Sequence, residues 1–358
     1  MKHKKLFIPG PTEVRREILD VLATPMIGHR SKDFSQLLGE VTPKLQKLFY
    51  TNGRVFLSTS SSTGVMEGAV RNCVKNRCLS CVCGAFSDRW EKIARANGKE
   101  TERLEVEWGK GITADMVRDR LKNGKFDAIT LVHNETSTGV MNPLYEIAEV
   151  MKEYPDVVFL VDAVSSLAGV KIEVDALGID VCLAGVQKCF ALPPGLAVFS
   201  VSDKALRKAR EVDCRGYYFD FLEFERYFAE RMQTPTTPVI SLIYGLNRQL
   251  DDMFGEGLEK RFARHKELAD YTRKWAKERF DLFADEGFRS NTLTTVTNTR
   301  GISVAALNQE LAKREVTIAN GYGKLKEKTF RIAHMGDLTS EEVKQLLLWI
   351  DEIMKSWE

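Results

Sequence analysis

Short apolar runs alternate with helical patterns through the first two-thirds of the chain. Val55-Phe56-Leu57 precedes a helical pattern from Gly64 to about Val74. Leu79 to Cys83 precedes one from about Ser87 to Ala96, and Ala128 to Val132 precedes one from Leu144 to Glu153. Three further apolar runs follow, Val157 to Val161, Val181 to Ala184 and Leu196 to Ser200. This rhythm predicts an α/β fold, a mostly parallel sheet covered by helices. Ligands of such sheets bind beyond the carboxyl ends of the strands. After about residue 238 the pattern changes. Val239 to Phe254 and Leu258 to Arg279 read as long helices, Thr292 to Thr297 and Thr329 to Ile332 as strands, and Val304 to Lys313 and Ser340 to Trp357 as amphipathic helices. These make a smaller α+β unit.

Composition narrows the class. The chain has 358 residues, enough for two or three domains and a large core. Its formal net charge is +2, which gives no electrostatic case for nucleic acid or a membrane surface. No apolar run approaches the roughly 20 residues that span a bilayer, and the apolar stretch after the basic N-terminus is too short for a signal peptide. A cytoplasmic location is expected. The seven cysteines, an odd number, point to reduced thiols. Cys78-Leu79-Ser80-Cys81 lacks a second Cys/His pair at comparable spacing, so no metal is expected.

Candidate chemistry sits at the strand ends. Asp162 closes the run Val157 to Val161, and Lys188 lies in the turn Gly185-Val186-Gln187-Lys188-Cys189-Phe190. An acid ending a buried strand and a lysine in an apolar turn suit pyridoxal phosphate. The lysine would hold the cofactor aldehyde covalently, and the carboxylate would keep the pyridine nitrogen protonated. A partly desolvated lysine also has a lowered pKa and a nucleophilic amine. Ser58 to Gly64 follows a strand and opens a helix, a place where amides and hydroxyls favour a phosphate. Phe86, just after another strand, could stack on a ring. His133 to Gly139 offers hydroxyls at the same rim.

The segments Glu135 to Val140, Val161 to Ser166, Gln187-Lys188 and Pro238 to Leu242 together resemble the class V aminotransferases, in the serine–pyruvate/alanine–glyoxylate branch. The resemblance runs from Pro9-Gly10-Pro11-Thr12 to Phe330-Arg331-Ile332-Ala333. It implies a fold type I PLP-transferase: an N-terminal segment 1–14 near the active site, a large domain 15–255 with a mostly parallel seven-stranded sheet, and a small C-terminal domain 256–358. It implies that Lys188 binds the cofactor, Asp162 pairs with the ring nitrogen, and Ser61, Ser62, Thr63 and Gln187 hold the phosphate. Val164 and Phe86 would cover the two ring faces, Phe86 standing where the family often has Trp. Thr136 would lie near the ring hydroxyl. Gln233 and Thr236 match positions that reach the neighbouring subunit's cofactor, so a homodimer with shared sites is expected; Gln233 stands where Tyr is common. Arg331 matches the arginine for the substrate carboxylate, a task suited to a forked guanidinium. The Gly10 backbone would line the same pocket.

The implied reaction is ping-pong transamination, with Lys188 moving the proton as general base and acid once the amino donor has freed it. Two substrate readings remain open. One is a small neutral donor, serine or alanine, with pyruvate or glyoxylate as acceptor. The other is phosphoserine with 2-oxoglutarate, because His29-Arg30 resembles a stretch that helps bind substrate phosphate in phosphoserine aminotransferases; Lys324, Lys326 and His334 would add positive charge there. A third reading, a non-catalytic subunit of a hydrogenase-like complex, conflicts with the complete set of cofactor residues. A cysteine desulfurase needs a catalytic cysteine in the small domain, and the last cysteine is Cys214.

Overall fold

The computed structural model describes residues 3–357. Its centre is a seven-stranded sheet, ordered Arg54–Ser58, Ala197–Val201, Val181–Gly185, Val158–Asp162, Ala128–Val132, Arg77–Val82 and Glu100–Glu105. Five of these strands pair in parallel, from Val181–Gly185 across to Glu100–Glu105. Ala197–Val201 runs antiparallel to both its neighbours. The four strands from Ala197–Val201 across to Ala128–Val132 are buried at every position. Sheets covered on both faces require such unbroken apolar runs.

Side-chain alternation sends each strand into two cores. Leu57, Ile129, Leu131, Phe159 and Val161 pack on one face, with the helices Lys32–Phe49 and Ile240–Glu256. Phe56, Ala128, Val132, Val158 and Leu160 pack on the other, with Ser62–Cys73 and Ala85–Ala96. Cys81 and Cys83 share the first core. Helix Lys32–Phe49 shows why its stripe is buried: Phe34, Leu37, Leu38, Val41, Leu45 and Leu48 recur at helical spacing behind the cap that Ser31 provides to Phe34.

A second, five-stranded sheet is ordered Lys5–Phe7, Val316–Asn320, Thr329–Ala333, Leu293–Thr297 and Asp281–Leu282. The helices Leu258–Arg279, Val304–Lys313 and Ser340–Lys355 cover it around Leu268, Trp275, Leu307, Leu346 and Ile350. The first strand of the chain thus belongs to the sheet of its last hundred residues. From there the chain runs straight to the ends of the large-sheet strands, where Thr12 Oγ1 donates to the Lys188 carbonyl at 2.9 Å. Among the described residues no helix is long and apolar enough to cross a membrane.

Candidate active site

Successive strand ends of the large sheet converge on one cavity of about 170 Å³. Ser61, Ser62, Thr63, Phe86, Thr136, Asp162, Val164, Gln187 and Lys188 all line it. Each ends a strand or follows one within a few residues, which is where a sheet with parallel neighbours opens.

One end of the cavity is built for an anion. The helix Ser62–Cys73 starts two residues before the sequence pattern suggests, so Ser62 and Thr63 form its first turn. Ser61 is its N-cap, yet its side chain makes no capping bond. The Ser62 hydroxyl is buried and has no hydrogen-bond partner among the described residues. A side chain on Gly185 would collide with that hydroxyl and with the Gln187 amide, so the strand end leaves room only for these two groups. Thr63 Oγ1 accepts from the Arg89 guanidinium at 3.0 Å. Unpaired hydroxyls at a helix N-terminus, with an arginine alongside, fit a phosphate.

The same wall carries an acid. Asp162 is buried, and Oδ1 accepts from the Val164 N–H at 2.9 Å. Burial pushes its pKa up to about 6, against the pull of that backbone bond. A protonated pyridine nitrogen would supply the missing counter-charge. Asn134 Oδ1, also buried on the cavity wall, has no partner among the described residues, whereas its amide donates to the Ser165 carbonyl at 3.3 Å and to Thr292 Oγ1 at 3.2 Å. Thr136 Oγ1 and Ser165 Oγ lie 2.5 Å apart beside it.

Lys188 is only 8% exposed. Its Nζ donates to the Pro9 carbonyl and lies 6.0 Å from the centre of the Phe86 ring. Burial first, and then the Arg331 charge, bring its pKa down to about 8. The amine is therefore far easier to deprotonate than a surface lysine. Gly10 stands against this side chain with φ +94°, and a Cβ there would come within 2.6 Å of Lys188 Cδ. Both the backbone conformation and the close approach require glycine.

Phe86 is held in place by a residue that sequence reasoning did not single out. Glu135 is fully buried and accepts from the Phe86 N–H at 3.1 Å and the Ser87 N–H at 2.8 Å. It also takes the hydroxyls of Ser87 at 2.9 Å and Ser137 at 2.6 Å. A carboxylate at the start of helix Ala85–Ala96 meets the positive end of its dipole.

Arg331 lies on the strand Thr329–Ala333 of the second sheet, just outside the cavity wall. Its Nη1 donates to the Thr136 carbonyl at 3.2 Å and its Nε to the Asn320 carbonyl at 3.1 Å. Burial lowers its pKa to about 10. The guanidinium has five donors, so three N–H groups remain beyond these two bonds.

Four of the expected residues, His29, Arg30, Gln233 and Thr236, are not among those that line the cavity. Arg30 donates to the carbonyls of Thr234 at 2.6 Å and Pro235 at 2.8 Å, and to Gln233 Oε1 at 3.3 Å. Its guanidinium also lies over the Tyr227 ring at 4.9 Å. His334 adds no positive charge, because it is fully buried, bonds Thr294 Oγ1 at 3.1 Å, and has its pKa pushed down to about 3 by burial. Lys324 is stacked on Trp108 at 4.2 Å. Sequence reasoning missed Arg89, Asn134 and Ser165 on the cavity wall. The one available signal was position, since each follows a strand within a few residues of a residue already singled out.

Comparison with known proteins agrees with this architecture. The family model for class-V aminotransferases matches residues 20–346. An uncharacterized aminotransferase of Methanocaldococcus jannaschii is 42% identical over 98% of this chain and 93% of its own length. The serine–glyoxylate aminotransferase of Arabidopsis thaliana is 30% identical over 98% of this chain and 90% of its own. Among solved structures, an alanine–glyoxylate aminotransferase from Nostoc sp. superposes with a TM-score of 0.93 at 27% identity, covering 99% of this chain and 96% of that one. A match over most of the chain, on a fold type I architecture, establishes that this protein belongs to the class-V aminotransferases, enzymes that work with pyridoxal 5'-phosphate.

Proposed function

We propose that the chain moves the amino group of a small neutral amino acid, serine or alanine, to a 2-oxo acid, pyruvate or glyoxylate. One observation carries this reading: a desolvated lysine and a buried acid line one cavity, and a partly unpaired arginine bonds the backbone of Thr136 in its wall. In this reading Lys188 binds the cofactor aldehyde, and Asp162 pairs with the ring nitrogen. Ser61, Ser62, Thr63 and Gln187 hold the phosphate. Phe86 and Val164 cover the ring faces, Thr136 lies by the ring hydroxyl, and Arg331 takes the substrate carboxylate beside the Gly10 backbone. The bound cofactor supplies an electron sink that makes the substrate α-proton removable. Lys188 does the proton work. Its lowered pKa lets the freed amine accept a proton at neutral pH and return it on the other side of the reaction. A scaffold subunit has no use for a lysine held in this state.

Arg30 favours a neutral donor over phosphoserine. Its donors are taken up by backbone carbonyls of residues 234 and 235, which makes it a brace for that segment rather than an open phosphate site. We further propose that the braced segment serves the other subunit of a homodimer, with Gln233 and Thr236 completing the neighbouring site. The seven unpaired cysteines suit a reducing cytoplasm. The division into segments 1–14, 15–255 and 256–358 goes with this reading.

Single-turnover conversion of the bound cofactor tests the substrate. Serine or alanine should convert it with a higher kcat/KM than phosphoserine. A phosphoserine preference that disappears in Arg30→Ala would overturn the assignment. The shared site is tested by mixing inactive Lys188→Ala with an inactive Thr236→Glu protein. Hybrid dimers should regain activity, and a fully active monomer in sedimentation would contradict the proposal.

A further inference from the structure

The turn after strand Val316–Asn320 carries an aromatic ring to the side chain proposed to cover the cofactor ring and to the one proposed to hold the substrate carboxylate. The Tyr322 ring centre lies 5.4 Å from that of Phe86, tilted by 46°. It also lies 5.5 Å from the guanidinium carbon of Arg331. Phe86 in turn lies 6.0 Å from the Lys188 amine. An amino acid with its nitrogen directed to Lys188 and its carboxylate on Arg331 must therefore pass alongside Tyr322.

The turn is braced on both sides. Asn320 Oδ1 accepts the N–H groups of Gly321 at 2.7 Å and of Glu327 at 2.8 Å, which pins the two ends together. A side chain on Gly321 would collide with the Leu325 carbonyl, and Gly323 takes φ +53°. Lys324 lies 4.2 Å over the Trp108 ring, tying the turn to the loop after Glu100–Glu105. A ring carried on such a turn cannot yield without losing its contacts with Phe86 and Arg331. It acts as a wall beside the donor α-carbon rather than as a movable flap.

We propose that Tyr322 is a specificity-determining residue that limits the amino donor to small side chains. This rests on the reading of Arg331 as the carboxylate anchor. The ring is the part that excludes; the hydroxyl is dispensable.

Binding of unreactive carboxylates to the holoenzyme tests this apart from turnover. Propanoate and 3-phenylpropanoate lack an amino group and cannot be transaminated. Calorimetry should show propanoate preferred by the unmodified protein. Tyr322→Ala should shift the ratio of the two Kd values towards 3-phenylpropanoate by about tenfold or more. Tyr322→Phe should keep the original ratio. An unchanged ratio in Tyr322→Ala, or equal weakening of both ligands, overturns the inference. Arg331→Gln separates the two readings. If it binds propanoate normally, the anchor is wrong whatever Tyr322 does. If it loses propanoate while Tyr322→Ala leaves the ratio unchanged, the size wall alone is wrong.

Discussion

Two groups of buried charge lie on either side of the loop that carries Lys188, and the fold treats them in opposite ways. In and beside the cavity, Asp162 is pushed up to about 6, Lys188 down to about 8 and Arg331 down to about 10, each chiefly by burial. All three shifts favour the neutral form. Behind the loop, Asp337 meets Arg15 at 2.6 Å, Gln249 at 2.9 Å and Arg261 at 3.0 Å. Burial would raise the Asp337 pKa, but Arg261, Gln249 and Arg15 together hold it below the usual carboxylate value. Arg261 is only 2% exposed, yet its donors reach Glu256, Asp337 and the carbonyls of Ala168 and Cys189. A buried charge with its partners complete is a strut. A buried charge with partners missing is poised for a ligand to complete it.

Exchanging lysine for alanine should break the comparison most sharply. Lys188→Ala should lower turnover by about 10²–10⁴-fold through loss of the proton carrier alone, while the folded structure survives, as circular dichroism would check. Asp337→Ala should do the reverse. Removing one partner from the strut strands buried arginine charge, at a cost on the order of 3 kcal/mol in urea unfolding of the apoprotein. The absorbance of lysine-bound cofactor in the folded variant should stay close to that of the unmodified protein.

A pH series sharpens the contrast, because the two regions have opposite signs. The folded chain holds the Lys188 proton less tightly than the unfolded chain does. Its burial therefore costs stability fully below about pH 8, and the cost fades towards the ordinary lysine value of 10.5. Lys188→Met should stabilise the apoprotein at pH 7 by on the order of 2 kcal/mol, with the gain vanishing at alkaline pH. Asp337 has a lowered folded pKa, so its stabilisation is present above the ordinary value of 3.8 and is lost as pH falls through the folded value. Unfolding midpoints from pH 3 to pH 10 would show both trends. The smallest effect is expected from Arg30→Ala assayed with serine. The guanidinium braces a segment that other contacts also hold, so kcat/KM should fall by only a few-fold.

The cavity was readable in the sequence and the strut was not, for a physical reason. Asp162 and Lys188 each end or closely follow an apolar strand, and a parallel sheet brings all such ends together whatever lies between them. The strut joins Arg15, Gln249, Arg261 and Asp337, four positions from separate elements whose pairing leaves no local pattern. Glu135 was hidden similarly, since nothing near it announces that it caps a helix fifty residues upstream in the chain. The strand Glu100–Glu105 escaped notice because it is an edge strand with charged residues at four of its six positions. The helix Lys32–Phe49 contains Pro43, which breaks the pattern of a continuous helix. The strand Val316–Asn320 is only partly buried and follows a helix with almost no interval, so its alternation is short.

The central claim is that Lys188 carries the cofactor. Borohydride reduction of the holoenzyme, followed by peptide mass spectrometry, would fix the cofactor irreversibly to whichever lysine holds it. The account predicts the modification on Lys188 and loss of the label in Lys188→Ala. A label on another lysine, or none on a protein that turns over, would contradict it.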